Sequence, residues 1–307
     1  MTKFKKQLTE QQQRDVANDY QSGMSLKEVH LKYGIPELQV RFYVISNGGK
    51  IRTSTDHKRK YTFNEHYFDE IDTKDKAYWL GFIYADGFIL KNRIKNRGAD
   101  SLGITLAETE PLEKFNKSIE STRPIYHFKQ SGYCTNSDKY RLVFKSDHLV
   151  SMLEKWGCIS RKTFDLIFPN FLEKDLISHF VRGYFDGDGS VFYHNTKVNN
   201  KIYQNLGITI CGTQSFLNDF VKACSLSPDI IYKDFRKETD CWSIKLASNL
   251  RCLEMYHFMY KDAGDLCLSR KRDKFENFIL ERGSETLIDS RNRTINAPYL
   301  KECYVED

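Results

Sequence analysis

The sequence predicts an α+β fold: two tandem copies of one helix-and-strand unit behind a small all-α module. Three repeated stretches predict the duplication. Trp79-Leu80-Gly81-Phe82-Ile83-Tyr84-Ala85-Asp86-Gly87 reappears as Val181-Arg182-Gly183-Tyr184-Phe185-Asp186-Gly187-Asp188-Gly189. Ser101-Leu102-Gly103-Ile104-Thr105-Leu106-Ala107-Glu108-Thr109 reappears as Asn205-Leu206-Gly207-Ile208-Thr209-Ile210-Cys211-Gly212-Thr213. Cys158-Ile159-Ser160-Arg161-Lys162 reappears as Cys267-Leu268-Ser269-Arg270-Lys271. The anchors keep their order at offsets of 102, 104 and 109 residues, a drift that small loop insertions absorb. That period is too long for a solenoid and suits two lobes of one small domain each.

The elements follow in order. Leu8 to Gln21 reads as a helix that Gly23 breaks. Ser25 and Glu28 form a capping box for a second helix reaching Tyr33. Gly34-Ile35-Pro36 makes a turn, and Pro36 starts a third helix to Ser46. In each lobe an apolar helix ends in Asp-Gly, and an alternating strand such as Leu102–Leu106 follows. Pro111 opens the next helix, Tyr140–Phe144 is a strand, and Leu149–Trp156 is a helix. The second lobe mirrors this with helix Ser215–Cys224, strand Cys241–Leu246 and helix Leu250–Tyr260.

Composition sets bounds. At 307 residues two or three domains are expected, and 40% hydrophobic content supports real cores. The longest apolar stretch, Ala77–Leu90, is interrupted by Asp86 and is too short for a bilayer, so no membrane association is expected. The eight cysteines include no C-x-x-C pair, and the histidines show no ligand spacing, so neither zinc nor a disulfide framework is indicated. A reducing cytoplasm is the simple location, with the nucleoid if the source is bacterial or a phage. Residues 1–60 hold 12 Lys/Arg against 6 Asp/Glu, leaving 35 of each elsewhere, so the whole +6 excess lies there. That imbalance points to a polyanion partner.

Helix, Gly-containing turn, helix is the helix-turn-helix pattern. It makes Gln39 and Arg41, with Glu37, exposed residues of a recognition helix. Lys50, Arg52, Lys58, Arg59 and Lys60 would then contact phosphates or a minor groove. Lys91, Arg93 and Lys95 alternate after the first motif and would put three positive charges on one strand face. The chain divides at 1–52 (helix-turn-helix), 53–75 (linker), 76–176 and 177–283 (the two repeats) and 284–307 (tail).

The motifs place an acid where stability alone would not. The C-terminus of a helix carries partial negative charge, and two such helices side by side worsen the repulsion. A divalent cation turns that arrangement into a site. The two nine-residue motifs, the strand repeat and the closing Ser-Arg-Lys resemble the LAGLIDADG homing endonucleases in their single-chain, two-repeat form. The resemblance covers about residues 61 to 280. Tyr84 departs from it, standing where the family has the first of its two acids.

The resemblance implies duplicated αββαββα units whose sheets form a pseudo-twofold β-saddle for the major groove. Gly81 and Ala85 would face Gly183 and Gly187 where the motif helices pack. Asp86 and Asp188 would bind metal with the carbonyls of Ala85 and Gly187. Lys162 and Lys271, by position, would assist catalysis. Asp186 reads instead as a structural hydrogen-bonding residue. The implied function is a Mg2+-dependent endonuclease, with Mn2+ as a substitute, that cuts double-stranded DNA in intron homing. The expected state is a monomer with internal pseudo-symmetry. Two other readings stay open: a non-cleaving regulator combining this fold with helix-turn-helix binding, and an intron RNA maturase. An intein is not expected, because the ends lack splicing residues.

Overall fold

The computed structural model describes residues 7–51, 61–92, 98–130, 137–159, 166–233, 241–282, 287–288 and 294–295. The chain divides into two compact units, 1–62 and 63–307.

Among its described residues the first unit holds three helices: α1 (Glu10–Gln21), α2 (Leu26–Tyr33) and α3 (Glu37–Ser46). Thr9 and Ser25 both make reciprocal capping boxes, with Gln12 and Glu28, so two helix starts are fixed locally. Val16, Tyr20, Val29, Ile35, Val40 and Val44 form its core.

The second unit contains both repeats. The first runs α4 (Lys74–Asp86), β1 (Gly87–Leu90), β2 (Ser101–Leu106), α5 (Glu110–Ser118), β3 (Tyr126–Gln130), β4 (Ser137–Lys145) and α6 (Asp147–Lys155). The second runs α7 (Lys174–Asp188), β5 (Ser190–Val198), β6 (Lys201–Gly212), α8 (Gln214–Ala223), β7 (Ile231–Lys233), β8 (Trp242–Leu246) and α9 (Asn249–Tyr260). A further helix, α10 (Ser269–Arg282), follows, and β9 (Leu287–Ile288) pairs with β10 (Thr294–Ile295). Each repeat folds as αββαββα. The sheets are antiparallel and share one order, β1-β2-β4-β3 and β5-β6-β8-β7.

The register shows where the copies drift. Gly103 pairs with Phe88, and Gly207 pairs with Phe192. In both sheets the phenylalanine ring occupies the space a glycine Cβ would take. The step from 102 to 104 therefore arises at the helix–strand junction, where Ser190 and Val191 are added before Phe192, and not in a loop as expected.

The expected linker 53–75 is only partly a linker. Tyr67 and Phe68 are buried in the main core, and Trp156 Nε1 donates to Phe68 O at 2.7 Å. From Phe63 onward the segment belongs to the first repeat, because its aromatics satisfy burial that α6 leaves open.

Candidate active site at the paired helix ends

The motif helices are built to touch. Small residues one turn apart remove the side chains that would hold two backbones apart. A Cβ on Gly81 would lie 2.0 Å from Phe180 O, and one on Gly183 would lie 1.9 Å from Tyr78 O. One on Gly187 would lie 2.3 Å from the Cβ of Ala85 and 3.4 Å from Oδ2 of Asp86. Gly81 and Ala85 thus sit against the stretch of α7 that holds Gly183 and Gly187, with no room for larger residues.

Asp86 and Asp188 are the last residues of α4 and α7. Asp86 is half-buried and Asp188 is exposed. The Asp86 carboxylate lies against Gly187, the residue before Asp188, so the two acids are neighbours across the helix seam. Asp86 leads directly into β1, and Asp188 leads into β5 through Gly189.

Lys271 is the basic group of this site. It is 4% exposed and lies in the first turn of α10. Its Nζ donates to the carbonyls of Phe185 (2.7 Å), Asp186 (2.8 Å), Gly187 (3.4 Å) and Gly189. A lysine there neutralises the negative end of α7. Burial pushes its pKa down to about 8, against the pull of Asp186, Asp86 and Asp188. Both motif acids therefore lie within electrostatic reach of one buried amine. Gly187 O, expected to hold metal, already accepts from it. A recess of about 220 Å³ beside Asp188 is lined by Arg270, Lys271 and Lys274 with Gly187, Gly189 and Ser190. A recess of about 920 Å³ opens beside Asp75 at the other end of α4 and contains neither motif acid.

Asp186 is structural. It is buried and accepts from Tyr78 Oη (2.9 Å), Tyr260 Oη (3.0 Å) and the Leu268 amide (2.8 Å). Burial raises its pKa, against these three donors and Lys271. Through Leu268 it pins the residues that lead into α10 and so positions Lys271. In the first repeat Tyr84 takes the matching position. It is buried, and its hydroxyl donates to Trp156 O, just before the matching Cys158. Gly157 makes room for it: its φ is +94°, and a Cβ there would lie 2.2 Å from Tyr84 Oη.

Several expected contacts are placed differently. Gln39 is fully buried, and its Nε2 donates to Tyr43 Oη at 2.9 Å, so it is not on the exposed face of α3. That face carries Arg41 with Leu38, Phe42 and Ile45. Lys50 is exposed. Lys91 lies past the end of β1 and is held by Asp100 (2.9 Å) and Glu154 (2.6 Å), so it does not belong to a positive strand face. Lys162, Arg52, Lys58, Arg59, Lys60, Arg93 and Lys95 lie outside the described residues.

The strand charges that sequence reasoning missed lie elsewhere. Paired residues in an antiparallel sheet share a face. Leu102, Ile104, Leu142 and Phe144 face the core, so Thr105, Lys139, Arg141 and Lys145 share the opposite face. Arg141 donates to Thr105 Oγ1 and lies over Phe128, 4.6 Å from the ring centroid. In the second sheet the corresponding face carries Lys245, Tyr203, His194 and Thr209. Among the described strand residues neither outward face carries a carboxylate. The signal was the register, which alternation alone does not fix.

No protein-family model and no curated protein matches the chain. It resembles LAGLIDADG endonucleases of known structure. The homing endonuclease I-LtrWI, bound to target DNA, is 11% identical, with 71% of this chain and 90% of that one covered and a TM-score of 0.47. The meganuclease I-SmaMI, bound to uncleaveable DNA, is 14% identical over 66% of this chain and 86% of its own, with a TM-score of 0.44. I-AabMI, bound to uncleaved DNA, is 14% identical over 66% and 88%, with a TM-score of 0.42. Among the described residues no helix is long and apolar enough to cross a membrane.

Proposed function

We propose that this chain is a site-specific, divalent-metal-dependent endonuclease that hydrolyses one phosphodiester bond in each strand of double-stranded DNA. The observation that carries this reading is the pair of acids at the touching ends of α4 and α7, sharing one buried lysine. Two carboxylates brought together at negative helix ends repel each other, and a divalent cation between them offsets that repulsion.

The donor set fits a hard cation: two carboxylates and the main-chain carbonyls beside them are all oxygen. Asp86 and Asp188 would hold Mg2+ or Mn2+, with the Ala85 carbonyl. Such an ion supplies charge neutralisation at the phosphoryl oxygens and a water of lowered pKa. The chain's own residues do the rest. Lys271 holds the end of α7, and with it Asp188, in one place. Lys274 sets positive charge in the recess beside Asp188, where phosphate oxygens would lie, while Arg270 is paired with Glu108. Lys139, Arg141, Lys145 and Lys245 hold the duplex by its phosphates. The basic N-terminal unit adds further contacts and lengthens the site.

The test is selection of cleaved sites from a random duplex library with Mg2+, with Ca2+ as the non-cleaving control. Double-strand cuts at one recovered sequence are expected. Asp86→Asn and Asp188→Asn should each lose double-strand cleavage and keep binding. Equal cleavage by either variant would remove the reading. Tight duplex binding with no cut under any metal would leave a regulator, and preference for folded RNA would leave a maturase.

A further inference from the structure

The fold gathers His66, Asp69 and His148, which the sequence does not. His66 and Asp69 lie three apart on the turn before α4, and His148 lies in the first turn of α6. His66 Nδ1 is 2.9 Å from Asp69 Oδ2, and His148 Nε2 is 2.5 Å from Asp69 Oδ1. The two imidazole rings lie 4.4 Å apart between centroids at 51°. One ligand atom from each of the three residues falls within 4.8 Å of the others. Linear spacing of the histidines could not reveal this group, because it is brought together across 82 residues.

We infer that these three side chains form a zinc-binding site that fastens the segment entering the second unit onto α6. Two imidazole nitrogens and one carboxylate oxygen are a donor set for Zn2+ and related borderline ions, and not for Mg2+. Ligand separations of this size need only small rotations to reach bonds of about 2.0–2.2 Å to one ion. Both nitrogens already face the carboxylate. A neutral, ligating His148 also suits the positive end of α6 better than an imidazolium would. All three groups are partly exposed, which leaves a path for the ion and a position for water. The turn that supplies two ligands is anchored by neighbours: Phe68 is fully buried, and Trp156 donates to its carbonyl. The site is therefore held on rigid supports at both ends. It shares no residue with Asp86 and Asp188, so it stands apart from the nuclease reading.

The experiment uses the full chain carrying Asp86→Asn and Asp188→Asn, which removes the other candidate metal site. Metal-free protein is titrated with Co2+, whose visible absorption reports four-coordinate nitrogen and oxygen ligation, and is then back-titrated with Zn2+. One equivalent of Co2+ is expected, displaced by Zn2+, with Zn2+ also raising the melting temperature. His148→Gln should abolish the band, and His66→Gln, at the most exposed of the three positions, should weaken affinity at least tenfold. Circular dichroism of His66→Gln checks that the fold is kept. No cobalt band in the parent, or parental affinity in either His66→Gln or His148→Gln, would overturn the site and leave Asp69 as a hydrogen-bonded anchor for two histidines.

Discussion

Three side chains near one helix end take three roles that their environments set. Asp188 is exposed at the end of α7, Asp186 two residues earlier is buried under three donors and serves as a strut, and Lys271 lies between them. The structural reading of Asp186 matches its burial under three donors, and Asp188 is the last residue of its helix. Sequence spacing could not show that Lys271 reaches the α7 carbonyls, since that depends on where α10 begins. The lysine is a positioning residue: it touches main-chain oxygens and fixes the acid through them. Its pKa of about 8 in the folded protein gives a direct test. Below that pH the amine is charged and the helix end is held, and above it the cation is lost. Cleavage should therefore fall off above about pH 8. In Lys271→Arg the alkaline limb should move upward, because a guanidinium stays charged. Lys271→Met should lower the cleavage rate by about 10- to 100-fold, the cost of a small misplacement of a reacting group. An unchanged pH profile in Lys271→Arg would deny the lysine this role.

At the scale of elements, the helix seam is fixed by what is missing from two residues. Gly81 and Gly183 place backbone against backbone, so a methyl group at either cannot be met by a rotamer change. The helices must part. Gly81→Ala or Gly183→Ala should cost roughly 3 kcal/mol or more, at the upper end of overpacking in a core, and should separate the two acids. Urea denaturation measures the loss, and a cost under about 1 kcal/mol would mean the seam is looser than described. This seam was legible in the sequence because the small residues recur at helical spacing in both copies. The sheets were legible as strands but not as surfaces. Alternation assigned Leu102, Ile104 and Leu106 to one face, yet which basic residues share the other depends on pairing with β4 and β3, which no local pattern fixes. Lys91 shows the same limit, for its partners Asp100 and Glu154 come from a loop and a distant helix. The sheet faces carry their own prediction. Arg141→Ala with Lys245→Ala should weaken duplex binding and lower the salt slope by about 1.8, near 0.9 per lost phosphate contact. A slope identical to that of the unaltered chain would show that these faces do not meet phosphates.

At the scale of the whole molecule, the two repeats form a single body and the three-helix unit is separate. The duplication was readable from the helix and strand anchors, which keep their order and open two sheets of the same topology. What was not readable is the asymmetry laid on it: a buried aspartate in one copy answers a buried tyrosine in the other. Arg182 adds to it, sitting 1% exposed in a helix whose matching residue is Leu80. Its guanidinium donates to Leu266 O (2.9 Å), Met259 O (2.8 Å) and His179 Nδ1 (3.0 Å), and lies 5.2 Å from the centre of the Tyr78 ring. One side chain thus ties α7 to α9, to the loop before α10 and to α4 of the other repeat. His179 must stay neutral to accept from it. Burial, then the charges of Arg182 and Lys74, push its pKa down to about 4, against the pull of Asp262. In the unfolded chain the same group titrates near 6.5. Between those values the unfolded state binds the extra proton, so stability is full above pH 6.5 and is lost as pH falls towards 4. The gap corresponds to about 3 kcal/mol at most. Because the network crosses both repeats, the loss should appear in the cooperative unfolding of residues 63–282 and not in that of the three-helix unit. His179→Gln keeps an acceptor for Arg182 and cannot titrate. Compared with it, the unaltered chain should lose up to about 3 kcal/mol more between pH 7 and pH 4 in chemical denaturation. Parallel pH curves for the two would mean that His179 is protonated, or solvated, in the native state, and that Arg182 holds the repeats together without it.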